Sequence, residues 1–119
     1  MIAMLKGHKR YVLMHPRECQ NVYLASKQHP SGRHSLVDWA HVDANKFPKF
    51  LESKAMETIV SAGEVLYVPS FWIHYPISLD VSVQCNCRSG NVNKGLTDVQ
   101  KCGFYPDRVG PKWGWKRGE

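Results

Sequence analysis

The sequence has no long apolar run, no cysteine spacing suited to a metal knuckle and little helical periodicity, and each absence removes a class of protein. The apolar opening, Met1 to Leu5, is far too short for the core of a secretory signal, and Lys6, Lys9 and Arg10 follow where a cleavage site would stand. No later stretch approaches the roughly 20 apolar residues that cross a bilayer as a helix; a soluble chain is expected. Cys19, Cys85, Cys87 and Cys102, with no secretory signal, are expected as reduced thiols in an intracellular protein of the nucleus or cytoplasm. Cys85 and Cys87 lie one residue apart in a strand-like run, so they would share a face and lack the two-residue spacer of a zinc knuckle. Internal repeats and low-complexity segments are also missing.

What is present suits one domain. A chain of 119 residues with a 43% hydrophobic share can bury a single core. The formal charge of +6, sixteen Lys and Arg against ten acidic residues, would favour an anionic partner such as nucleic acid or an acidic protein. The basic residues are scattered, however, and only Lys112, Lys116 and Arg117 gather, interleaved with Trp113 and Trp115. A short basic terminus is more often solvated or partner-facing than bound to nucleic acid.

Along the chain, Tyr11 to Met14 reads as a strand that Pro16 closes. Ser26 to Lys46 is rich in Ser, Pro, Gly, His, Asp and Asn without sustained period, which predicts a long excursion of the kind that serves function. Phe47 to Glu52 has a proline near its start and apolar residues three and four apart, as in a short amphipathic helix. Glu57 to Val60 and Val65 to Val68 read as strands about an Ala62-Gly63 turn, the second ended by Pro69. Ile73 to Ser78 and Val81 to Asn86 alternate, with His74, Pro76 and Ser78 on one face of the first and Ser82, Gln84 and Asn86 on one face of the second. From Asn91 on, a loose tail is predicted, with a short helix through Thr97 to Lys101 that Thr97 could cap. Many short strands, close turns and little helix predict an all-β sandwich or barrel.

The segment Ala62-Gly63-Glu64-Val65-Leu66-Tyr67-Val68-Pro69-Ser70-Phe71-Trp72-Ile73-His74 carries the chemistry. With Leu5-Lys6-Gly7-His8-Lys9-Arg10-Tyr11, Phe47-Pro48-Lys49-Phe50 and Val83-Gln84-Cys85-Asn86, it resembles the JmjC and cupin-like family of iron(II)- and 2-oxoglutarate-dependent oxygenases. The pattern is most similar to that of the asparaginyl hydroxylase of hypoxia-inducible factor. The resemblance covers about residues 1–90 and implies the C-terminal portion of a double-stranded β-helix, or jelly roll, with one short helix; residues 91–119 would be a loosely structured basic tail. It further implies that His74 is an iron ligand, that Lys9 pairs with the distal carboxylate of 2-oxoglutarate, and that Asn86 faces the cosubstrate from the last strand. Neutral imidazole suits ferrous iron and an ammonium suits a carboxylate.

The family holds its metal with two histidines and a carboxylate, the His-x-Asp pair lying about a dozen residues before the lysine that Lys9 matches. The chain begins after that point, so residues 1–119 are expected to bind iron poorly and to be inactive alone. His41-Val42-Asp43 spells the motif but falls after Lys9, where the family has a polar loop, so a solvated loop is expected there. Taken singly, His74 would be a hydrogen-bonded residue beside aromatics, Lys9 a surface lysine and Asn86 a turn-adjacent amide; a shared inward face distinguishes the readings. As a simple hairpin, strands 73–78 and 81–86 would set His74 opposite Asn86, whereas the jelly roll puts them in opposing sheets, the arrangement expected here. The substrate would be a protein side chain, hydroxylated or demethylated. The competing reading is a non-catalytic jelly-roll module that binds a protein or nucleic acid, and a weaker one is a cupin-type small-molecule binder.

Overall fold

The computed structural model describes residues 1–25, 29–88 and 95–103. Strands Ile2–Lys6 (β1) and His8–Met14 (β2) are separated by Gly7 alone, and this residue is where the chain changes sheets. Its φ of +73° is in the left-handed region, and a Cβ there would run into the Asp80 carboxylate and the Val81 carbonyl. Strands Ala55–Ser61 (β3), Val65–Leu66 (β4), Ile73–Ser78 (β5) and Val83–Asn86 (β6) complete two antiparallel sheets. Their orders are β4-β1-β6 and β3-β2-β5. Consecutive strands β5 and β6 therefore lie in opposing sheets, as the jelly-roll reading expects. Gly63, φ +89°, makes the tight turn between β3 and β4, where its N–H donates to the Met4 carbonyl at 2.8 Å.

Register sets the faces. β2 pairs Lys9 with Ser78, Tyr11 with Pro76 and Leu13 with His74, and on its other edge Lys9 with Val60 and Leu13 with Met56. Directly paired residues point the same way, so Lys9, Tyr11, Leu13, Val60 and His74 share one face. β1 pairs Ile2 with Leu66 and Asn86, and Met4 with Gln84. The sheets close on one another through Ile2, Met4, Tyr11, Leu13 and Val60, with Leu66, Val68 and Trp72 packed around them. Leu79 N–H donates to the His8 carbonyl, so by the alternation of antiparallel pairs residues 73, 75 and 77 bond to β2 and 74, 76 and 78 face the other edge of β5. Pro76, which has no N–H, sits where the ladder to β2 loses nothing.

Strands predicted at 11–14 and 57–60 are each longer here, because β2 and β3 pair over seven rows. The run 65–68 forms a strand only at Val65–Leu66, since β4 meets β1 at two positions. The two-turn helix predicted at Phe47 to Glu52 is instead a 3-10 turn, Pro48–Glu52, with no side-chain cap at Phe47 and no buried residue. A second 3-10 turn, Pro16–Gln20, follows β2 directly and was not predicted. Helix Leu96–Gln100 (α1) lies where a helix was predicted, but its N-cap is Gly95, φ +83°, without a side-chain hydrogen bond, so Thr97 is not the cap.

Cysteine state also departs from expectation. Cys19 and Cys102 form a disulfide, with Cα atoms 6.2 Å apart, because the fold docks α1 on the Pro16–Gln20 turn. Cysteine count and compartment carry no information about that pairing. Cys85 and Cys87 are free and exposed. The Trp-bearing basic tail lies outside the described residues.

Candidate functional site

β2 supplies the first wall. Lys9 is half-buried on the inward face, two residues before Tyr11, and makes no ion pair among the described residues. By contrast the outward Arg10 is tied to Glu57 across the β2–β3 pair, with Nε donating to Oε2 at 2.8 Å. The alternation thus pairs Arg10 outside and leaves Lys9 on the inward face, without an ion pair among the described residues.

His74 is on β5, on the same face as Lys9, and it follows the Pro69-to-Trp72 corner in which Phe71 has φ +63°. Its row and that of Lys9 are four residues apart along β2, about 13 Å at strand rise. Imidazole Nδ1 lies 3.2 Å from the Trp72 carbonyl. A carbonyl only accepts, so in that contact Nδ1 is the donor and Nε2 is the ring nitrogen left outside it. Trp72 is itself set edge-on to His15, ring centroids 5.4 Å apart.

Asn86 is on β6, exposed, on the face that carries Ile2 and Gln84 toward the other sheet. Tyr11 OH donates to Gln84 Oε1 at 2.6 Å, and Gln84 Nε2 donates to Asn86 Oδ1 at 2.8 Å. Burial pushes the Tyr11 phenol above its ordinary pKa, opposed by the bond to Gln84. Neither Tyr11 nor Gln84 was singled out from sequence. Gln84 could have been, as the polar residue two before Asn86 on one strand face, and Tyr11 as the residue two beyond Lys9 on another.

The structure thus places Lys9 and His74 on one face of the β3-β2-β5 sheet and Asn86 on the facing side of the other. His41-Val42-Asp43 is elsewhere, in the exposed excursion: Asp43 Oδ1 accepts from the N–H groups of Asn45 and Lys46, and His41 lies 3.7 Å from Asp38. Among the described residues no three His, Cys, Asp or Glu side chains gather as a metal site. A cleft of about 600 Å³ opens beside β5, with Asp38, Trp39, Trp72, His74 and Tyr75 among its lining residues. Trp39 meets Phe50 edge-on and Tyr75 at a tilt, with centroids 5.3 Å from each.

Residues 1–87 match the cupin-like domain. The chain belongs to that family. This cupin-like chain is 31% identical over 85 residues to the tRNA wybutosine-synthesizing protein 5 of Gallus gallus, covering 71% of this chain and 25% of the relative. It is 33% identical over 83 residues to the lysine-specific demethylase JMJ30 of Arabidopsis thaliana, covering 70% and 19%. It is 33% identical over 81 residues to the JmjC domain-containing protein D of Dictyostelium discoideum, covering 68% and 18%. The cupin-like chain spans about a quarter of the length of the wybutosine-synthesizing relatives, and its two β-sheets are consistent with part of a jelly roll. No described helix is long and apolar enough to cross a membrane.

Proposed function

We propose that residues 1–90 are the C-terminal portion of the catalytic jelly roll of an iron(II)- and 2-oxoglutarate-dependent oxygenase, with residues 91–119 a basic tail. The observation that carries the reading is the shared inward face of Lys9 and His74, faced by Asn86. His74 would hold iron through Nε2, its ring fixed by the Trp72 carbonyl. Lys9 would neutralise the distal carboxylate of 2-oxoglutarate, and Asn86 would donate a hydrogen bond to the same cosubstrate. Bound together, iron and 2-oxoglutarate supply the oxidising power with which such enzymes hydroxylate carbon. The residues present fit the cosubstrate at both named contacts and the metal at one ligand, so residues 1–119 by themselves hold iron weakly and do not turn over. The substrate is a protein side chain, by the likeness to lysine-specific demethylases, in the nucleus or cytoplasm; the likeness to a tRNA-modifying protein makes RNA the other substrate class to assay.

A titration decides the cosubstrate reading. Millimolar 2-oxoglutarate with ferrous iron is expected to raise the Tm of the chain, and the rise should vanish in Lys9→Ala and lose its iron dependence in His74→Ala. A rise of equal size in both variants overturns the assignment. A second reading, a jelly-roll module that binds a partner without catalysis, is supported by the aromatic cleft beside β5, whose volume is in the range of ligand pockets. In that case Trp39→Ala weakens partner binding and 2-oxoglutarate has no effect on it.

A further inference from the structure

The hydrogen bonds from Tyr11 through Gln84 to Asn86 have a direction, and burial sets it. The Tyr11 side chain is 1% exposed, and among the described residues Gln84 is the partner of its hydroxyl. Were the Gln84 amide reversed, its NH2 would donate to the phenol oxygen and the phenol proton would be buried with no acceptor, a loss that a folded chain avoids. The phenol must therefore donate. Gln84 Oε1 is then committed to Tyr11, Gln84 Nε2 is turned to Asn86, and the Asn86 carbonyl oxygen is turned to Gln84 at 2.8 Å. Only the Asn86 NH2 is left uncommitted, and it has no partner among the described residues.

The geometry points to Tyr11 and Gln84 as positioning residues that lock the Asn86 carboxamide in one of its two flips, as a donor to a carboxylate ligand. The inference rests on the reading of Asn86 as a cosubstrate contact. A lone exposed asparagine presents oxygen or nitrogen with equal ease, and half of its population would turn a lone pair toward an anion. The relay removes that half. It also joins the two sheets, because Tyr11 is on β2 and Gln84 on β6, so the polarity of the site is fixed by a group in the core.

The test uses the full 119-residue chain, labelled with ¹⁵N, and its side-chain amide signals. In the wild type, a Gln84 amide proton is expected to be protected from exchange with water while both Asn86 amide protons exchange, and added 2-oxoglutarate should shift the Asn86 signals. Tyr11→Phe keeps the ring in the core and deletes only the hydroxyl. It should abolish the Gln84 protection and weaken the 2-oxoglutarate titration by about twofold, the effect of returning half of the Asn86 population to the other flip. Protection found on Asn86 instead of Gln84, or exchange and titration unchanged in Tyr11→Phe, overturns the inference. If Gln84 is protected as expected but 2-oxoglutarate moves no Asn86 signal, the relay stands and the cosubstrate reading falls.

Discussion

β2 is paired along its whole length with β3 and over six rows with β5. In the stretch from His15 to Lys54 that follows, the described residues form two 3-10 turns and one isolated bridge, Leu24 with Ser35. The ladder is held by backbone groups that any residue carries, so side chains on β2 are free to divide between core and site. The excursion has no ladder, and particular side chains take its place. Asp38 Oδ1 accepts from Ala40 N–H, Ser35 Oγ donates to the Val22 carbonyl and accepts from Val37 N–H, and Trp39 fixes Phe50 against Tyr75. Glu18, 8% exposed, joins the two ends of the excursion by accepting from Asn21 Nδ2 and Lys54 N–H. A region built in this way fails one side chain at a time, whereas a ladder fails as a unit.

The sharpest break of that comparison is a truncation in the ladder. Leu13→Ala, at a side chain 6% exposed on the inward face, should cost about 2–5 kcal/mol and lower the single unfolding transition of both sheets in urea. Loss of a covalent tie in the other region comes next. Cys102→Ser, or reduction by a dithiol, removes the link from α1 to the Pro16–Gln20 turn across 83 residues of sequence, at about 2–4 kcal/mol. Hydrogen exchange should then rise first around residues 16–25 and 95–103 and leave β2 protected; a uniform rise would erase the distinction between the regions. Glu18→Ala should cost about 0.5–1.5 kcal/mol by removing the bonds from Asn21 Nδ2 and the Lys54 N–H, with the change in exchange confined to the ends of the excursion.

The smallest effect is at the sheet corner and depends on pH. Asp80 accepts from the His8 ring at 2.6 Å and from His8 N–H at 2.7 Å, and these bonds hold its carboxyl below the ordinary carboxylate pKa. A lowered folded-state pKa stabilises the fold above the unfolded value, about 4 for Asp. That contribution disappears as pH falls through the lowered value. The difference in urea midpoint between wild type and Asp80→Asn should accordingly be present at neutral pH and shrink in strong acid. A difference independent of pH would assign the corner to Gly7 and the backbone alone.

Much of the ladder was legible because alternation is a local property. The run from Ile73 to Ser78 announced its two faces, and its bounds as a strand are those predicted. The 3-10 turn at Pro48–Glu52 was not, because three- and four-residue apolar spacing is compatible with one turn of either helix and only the aromatic partners of Phe47 and Phe50 decide between them. The first strand, β1, was missed since Ile2 to Lys6 carries too few residues to show a period before Gly7.

The candidate site divides the same way. Lys9, His74 and Asn86 could be named from motif, and their faces from the period-two rule. Tyr11 and Gln84 could not be joined from sequence, because they are 73 residues apart and on different sheets. The pairing of Cys19 with Cys102 is hidden for the same reason.

By itself the sequence determined where most of the strands run, though not β1 or every strand end, which of their faces are polar, and that the chain carries the marks of a cupin-like domain. The tertiary structure alone decided which polar face meets which, which thiols join, and which way an amide points. Local patterning depends on neighbours in the chain and survives in any reading of it. Contacts between distant segments exist only once two sheets have closed, when burial leaves the Tyr11 proton one acceptor among the described residues, Gln84.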